Sequence, residues 1–236
     1  MSRSNQVDLI NPVVRWMEWN GEKGCIKFYD KDLEQKVELD GKITFIFLDQ
    51  LAAIKGWNDA SDSGIYSNEI KDSTKEQFIV KCFNGGEIAR GFYKDIRDRI
   101  ASNGGHFTAS IYIAIKIGDA LSIANLQLKG ASLNAWIEFL KKNRKEIYKS
   151  AVAITGVVEG IKGRVKFLTP IFAIKELSEE TNKQAITLDV ELQEYLKGYL
   201  AKNTSEQPEV TSTDQPKPEP TPPSTNIDTS TDDLPF

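Results

Sequence analysis

The sequence predicts a β-rich, antiparallel α+β domain that ends near Lys202 and is followed by an acidic, disordered tail. Three observations carry this expectation. Phe107, Ala109, Ile111, Ile113, Ile115 and Ile117 alternate with Thr108, Ser110, Tyr112, Ala114 and Lys116, a period of two that belongs to strands. Several other short apolar runs are separated by Gly, Asn and Asp turns, and helical spacing is confined to a few stretches. From Asn203 onward the composition changes: seven of the nine prolines lie there with many Ser and Thr, and few aliphatic residues remain to offset the entropy of ordering.

Taken in order, Asn11-Pro12 favours an extended entry. Val13 to Asn20 and Cys25 to Lys31 read as strands joined by Gly21-Glu22-Lys23-Gly24. Gln35 to Leu39 then meets the turn Asp40-Gly41 before Ile43 to Leu48, which is apolar on both faces and hence central. These four runs predict a meander. Asp49 to Trp57 has Leu51, Ala52 and Ile54 behind an acidic start and predicts a short helix with Asp49 near its cap. Ile65 to Ile70 and Gln77 to Phe83 predict strands. Tyr93 to Ser102 places Ile96 and Ile100 at i, i+4 and predicts a helix that stops at Asn103-Gly104-Gly105. Phe107 to Ile117 and Leu121 to Lys129 form a hairpin. Ser132 to Tyr148 predicts the strongest helix, with Leu133, Trp136, Ile137 and Leu140 on one stripe, Ser132 as its cap and a basic C-terminal half. Strands Ala151 to Val158 and Arg164 to Ile174 come next, and a helix over about Leu188 to Ala201 ends the globular part.

With 236 residues and 40% apolar content, the chain has material for a sizeable core. Its net charge of −4 is unevenly divided: residues 203 to 236 hold seven acids and one base, a charge of −6, which leaves +2 for the body. That mild positive balance is a weak pointer to nucleic acid. No apolar run approaches the ~20 residues of a membrane span, and Met1 to Asp8 lacks a signal-peptide pattern, so an intracellular, cytoplasmic protein without a membrane partner is expected. Cys25 and Cys82 are far apart with no CxxC, and His106 is the single histidine, which points to neither a disulfide framework nor a zinc site. There is no GxxxxGK[ST] loop, and Asp30, Asp32, Asp59 and Asp62 are more simply solvated loop carboxylates than magnesium ligands. No catalytic residue, metal or cofactor is expected.

The last five residues are Asp232, Asp233, Leu234, Pro235 and Phe236. A large aromatic left in water forgoes about 1.5–3 kcal/mol of burial, so Phe236 suits a pocket on another molecule. Pro235 lowers the entropy lost on docking, and the terminal carboxylate with the two aspartates suits a basic rim. This ending resembles the acidic tip of bacterial and phage single-stranded-DNA-binding proteins (SSBs), in its paired aspartates, short apolar residue, Pro and final Phe. The resemblance covers the tip and the character of the tail, not the body. It implies an OB-like, partly closed Greek-key barrel over residues 1–202, elaborated with C-terminal helices, a Pro/Ser/Thr-rich linker over 203–231 and a protein-interaction tip over 232–236. It further implies a non-enzymatic, sequence-independent protein of DNA replication, recombination and repair in a bacterial or phage-infected cell, which holds single-stranded DNA and recruits replication and recombination proteins through the tip. An adaptor or decoy that carries the tip without holding DNA, or a strand-annealing protein, suits the same ending. The last helix is as well suited to pairing subunits of a homo-oligomer as to sealing the barrel.

Single strands are held without a base code by a basic groove and aromatic platforms. Alternation supplies the candidates. Beside core residues Ile26 and Phe28, Lys27, Tyr29 and Lys31 face outward. Tyr112 and Lys116 belong to the outer set of the Phe107 strand, and Asn125, Gln127 and Lys129 to that of the next. Lys81 and Phe83 face away from Phe78, Val80 and Cys82, and Arg164 and Lys166 share a face. Trp16 and Trp19 lie on opposite faces of the first strand, and Trp19 is the candidate platform. Trp57, entering a polar loop, is a second platform, whereas Trp136 belongs to the core. The run Lys141 to Lys149 and the cluster Arg90, Lys94, Arg97 and Arg99 read more simply as solvated surface.

Overall fold

Eleven strands and three helices follow one another in the computed structural model, which describes residues 10–30, 33–118 and 120–205. Lys31 and the tip residues Asp232 to Phe236 lie outside the described residues. The elements are β1 (Arg15–Asn20), β2 (Cys25–Asp30), β3 (Gln35–Asp40), β4 (Thr44–Asn58), β5 (Ser63–Ser67), β6 (Phe78–Cys82), β7 (Gly86–Gly91), α1 (Tyr93–Ser102), β8 (Gly105–Ile117), β9 (Ala120–Lys129), α2 (Ala131–Lys142), β10 (Ala151–Lys162), β11 (Val165–Lys175) and α3 (Glu179–Ser205).

The architecture is a β-rich α+β fold built on one open, mixed sheet. Its strand order is β3-β2-β1-β9-β8-β4-β5-β6-β7, and β10 branches from the start of β4 and carries β11 on its far side. The antiparallel expectation needs a correction, because β1 and β9 run parallel, with Glu18 opposite Gln127. The connection between them contains most of the sheet, long enough for the chain to return in the same direction.

β1, β2 and β3 form the expected meander, but β4 does not join it. Instead β4 pairs with β8 along most of its length and uses its other edge for β10 at one end and β5 at the other. Its central place goes with burial on both faces: Phe45 to Leu48 and Leu51 to Ile54 are all buried, shared between the cores on the two sides of the sheet. The same fact overturns the short helix expected over Asp49 to Trp57. Apolar residues at 51, 52 and 54 mimic helical spacing, yet they are consecutive positions of a two-sided strand that is re-aimed by a bulge between Phe47 and Asp49. Strand β7 has no counterpart in the sequence expectation, since Glu87 to Arg90 contains only two adjacent apolar residues. α1 falls where expected. Ser132 does not cap α2: Gly130 stands at that position, and the Ser132 hydroxyl donates to the Lys129 carbonyl at 2.8 Å.

Each face of the sheet has its own core. On the inner face Met17, Trp19, Ile26, Phe28, Ile54, Phe107, Ile111, Leu126 and Leu128 pack with α1 and α2, and Trp136 of α2 is fully buried among Phe45, Phe47 and Phe172. On the outer face α3 lays Ala185, Leu192 and Leu196 over Ile46, Leu48, Leu51, Tyr112, Ala114 and Ile123. α3 begins earlier than the sequence suggests and covers one half of the outer face, while the other half holds an open groove. Among the described residues no helix is long and apolar enough to cross a membrane.

Candidate nucleic-acid interface

The uncovered half of the outer face is polar because the strands beneath it change composition along their length. In β8 the outer positions pass from Tyr112 and Ala114 under α3 to Ser110, Thr108 and finally the exposed His106. In β4 they pass from Leu51 and Ala53 to Lys55 and Trp57, and in β9 to Gln127 and Lys129. Register aligns them. Lys27 lies opposite Glu18, Glu18 opposite Gln127, Lys129 opposite Thr108 and Lys55 opposite His106.

Together Glu18, Lys27, Lys55, Trp57, His106, Gln127 and Lys129 line an open groove of about 520 Å³. Trp57 stands at its rim with 54% of its surface exposed. A close approach of two backbones fixes that rim. A side chain at Gly104, whose φ is +86°, would come within 2.2 Å of the Trp57 carbonyl, and one at Gly56 within 2.1 Å of the Gly104 carbonyl. Glycine at both positions lets the segment entering β8 lie directly on β4.

The same face continues past the groove. Gly64 pairs with Trp57, and Phe83 lies against Gly64 and packs on Tyr66 with ring centroids 4.7 Å apart. Phe83 is 74% exposed, and Lys81 stands opposite Tyr66. From β2 to β6 the face crosses six strand spacings, about 29 Å of basic and aromatic side chains. On the other flank Tyr29 is exposed one step from Lys27.

Charge in the groove is only partly neutralised. Glu18 binds Lys27 at 3.2 Å and Lys129 at 2.7 Å. Burial works against ionisation of Glu18, but the two ammonium groups outweigh it and hold its carboxyl below the usual range. Among the described residues Lys55 has no such ion pair. Its partial burial lowers its pKa, opposed by the more distant carboxylate of Glu69. His106 is lowered by burial and by the Lys129 charge, so it is neutral at physiological pH.

Beneath the boundary between the open and covered halves sits Glu69, a buried carboxylate. It accepts hydrogen bonds from the Ser110 and Tyr112 hydroxyls, and Asn125 donates to Ser110 at 2.7 Å. The Glu69 backbone N–H donates to the Tyr199 hydroxyl of α3 at 3.0 Å. This network anchors α3 to the edge of the groove. Among the described residues no group of three or more His, Cys, Asp or Glu side chains could hold a metal ion.

Of the residues expected from the sequence, Lys27, Trp57 and Lys129 meet in the groove, Lys81 and Phe83 continue its face, and Tyr29 flanks it. Two expectations are corrected. Trp19 is 4% exposed and packs inward, donating its indole N–H to the Leu168 carbonyl at 2.9 Å, while Trp16 is the one that faces out. Tyr112 is 1% exposed because α3 covers its half of the strand, and Asn125 is buried for the same reason. Lys116 is exposed but ten residues from His106 along β8, on the order of 33 Å away. Arg164 and Lys166 are exposed at the tip of the β10–β11 hairpin, outside the groove lining, and Lys166 pairs with Glu159 at 3.0 Å.

Lys55 and His106 were missed. Lys55 was hidden by the helix expected there, and a lone histidine carries no spacing signal. No protein-family model matches the chain, and no curated protein or solved structure matches it either.

Proposed function

We propose that this chain is a non-enzymatic, sequence-independent single-stranded-DNA-binding protein that holds the strand on the open half of its outer face and recruits replication and recombination proteins through its acidic tip. The observation that carries this reading is one side of one sheet combining Lys27, Lys55 and Lys129 with the exposed rings of Trp57 and Phe83. Backbone phosphates meet the lysines and bases stack on the rings, an arrangement that asks for no particular sequence.

An OB-like reading of the body has support of its own. β4 is long, bent at a bulge and shared between β8 and β10, and the chain order runs β4, β8, β9, β10, β11. The Leu168 N–H donates to the Gly21 carbonyl, which draws β11 back toward the β1–β2 turn and the far end of a curved sheet. In a five-stranded Greek-key barrel the second and third strands offer the ligand face; here these are β8 and β9, which floor the groove. β1 to β3 are then an added meander lying beside β9.

The test is a titration of the full chain with fluorescent oligo-dT at several salt concentrations. Binding that falls linearly in log K against log salt is expected. Absence of binding discards the DNA reading in favour of an adaptor that uses the tip alone, which the small body charge of +2 keeps in view. Binding accompanied by rapid pairing of complementary strands assigns the chain to strand annealing.

A further inference from the structure

Two of the three groove lysines are already engaged. The Glu18 carboxylate lies between the Lys27 and Lys129 ammonium groups at 3.2 Å and 2.7 Å, on β1 at the centre of the β2-β1-β9 ladder. All three side chains line the groove, so a strand crossing it meets this carboxylate among the cations. A phosphate oxygen brought to either lysine competes with a Glu18 oxygen for the same N–H donors and is repelled by whatever negative charge stays behind. Lys55 has no ion pair among the described residues, so it is the lysine a phosphate engages without displacing anything.

From this geometry we infer that Glu18 is a built-in competitor for the phosphate backbone: it holds Lys27 and Lys129 in reserve, keeps the strand loosely bound and speeds its release. The inference rests on the proposed interface and concerns how that interface is regulated. Tight binding is not what a coating protein needs when other proteins must take the strand from it. A competing carboxylate sets the affinity without removing the lysines that attract DNA.

The experiment is to compare wild type with Glu18→Gln, which keeps the shape and loses the charge, in full-length protein titrated with oligo-dT across a salt series. Freeing two lysines should steepen the slope of log K against log salt by about 1.4, at roughly 0.7 per phosphate contact on single strands, and raise affinity at low salt by about tenfold. In the same series Trp57→Ala reports on the interface itself. If Trp57→Ala weakens binding while Glu18→Gln leaves affinity and slope unchanged, the interface stands and the competitor role of Glu18 is overturned. If neither wild type nor Glu18→Gln binds, both fall. Should Glu18→Gln fold poorly, Glu18→Thr, a neutral residue that suits a strand, replaces it with the same expected gain in affinity and slope, and an unchanged affinity and slope overturn the inference.

Discussion

The Tyr112 hydroxyl donates to the buried carboxylate of Glu69, and that contact marks the line where α3 stops and the open groove begins. Tyr112→Phe removes a donor from a buried carboxylate, which should cost about 1–3 kcal/mol of stability. The pH dependence gives a second reading. Burial, reinforced by the Glu69 charge, pushes the Tyr112 phenol well above its ordinary value of 10.0. Above that pH the unfolded chain gives up a proton that the native state keeps. The native state then binds more protons, and stability falls as pH rises, by about 1.4 kcal/mol per unit for one group. The contribution of Tyr112 is therefore intact below its ordinary pKa and is lost toward its higher native one. Urea melts at neutral pH and above pH 10 should show Tyr112→Phe less sensitive to alkali than wild type.

Trp57 and Trp19 should separate cleanly into binding and folding. Trp57→Ala removes an exposed ring and should leave the melt nearly unchanged while weakening oligo-dT binding by roughly 1–3 kcal/mol. Trp19→Ala opens a void in the inner core beneath Gly41 and breaks the bond to Leu168, at a cost of about 3–5 kcal/mol. Paired melts and titrations of the two variants check this, and equal binding losses at matched stability would contradict it.

Much of this was legible from the chain. The β8 alternation, α1, the β1–β2 hairpin and the inward sets Ile26/Phe28 and Phe78/Val80/Cys82 follow from period and turn chemistry, and they place Lys27, Lys81 and Phe83 outward as found. Even the choice between the tryptophans was available. A four-residue turn from Gly21 to Gly24 puts Trp19 opposite Ile26, so an inward Ile26 carries Trp19 inward with it. The covering of Tyr112 was not legible, because alternation tells which side a residue faces but not whether a helix lies over it. The central strand expected over Ile43 to Leu48 is the start of β4, but the rest of β4, from Asp49, failed for a related reason: a strand buried on both faces has no period to read, and Lys55 was lost within it.

Lys55 should trade stability against binding. Its charge is disfavoured by burial, so Lys55→Met, of similar length and apolar, should stabilise the fold by about 1 kcal/mol. The same change removes a groove cation and should weaken oligo-dT binding and flatten its salt slope by about 0.7. A gain in melting temperature together with that loss marks a residue kept for its ligand. If Lys55→Met loses stability, the lysine is structural, and its place in the interface is wrong.

The tail enters through charge alone. Residues 203 to 236 hold seven acids and one base on the same chain as a basic open face, so the expectation is that tail carboxylates visit the groove. Acids that reach it would compete with phosphates for the same cations, and salt would weaken both contests together. Deleting residues 203 to 236 should therefore raise oligo-dT affinity most at low salt and least at high salt, which steepens the observed slope. The same deletion removes Phe236 and its flanking carboxylates and should abolish capture of any protein that docks the tip, while replacing Phe236 alone with Ala should abolish capture and leave DNA binding as in wild type. Equal DNA affinity with and without the tail across the salt series would show that the tail does not reach the groove, leaving recruitment as its only task.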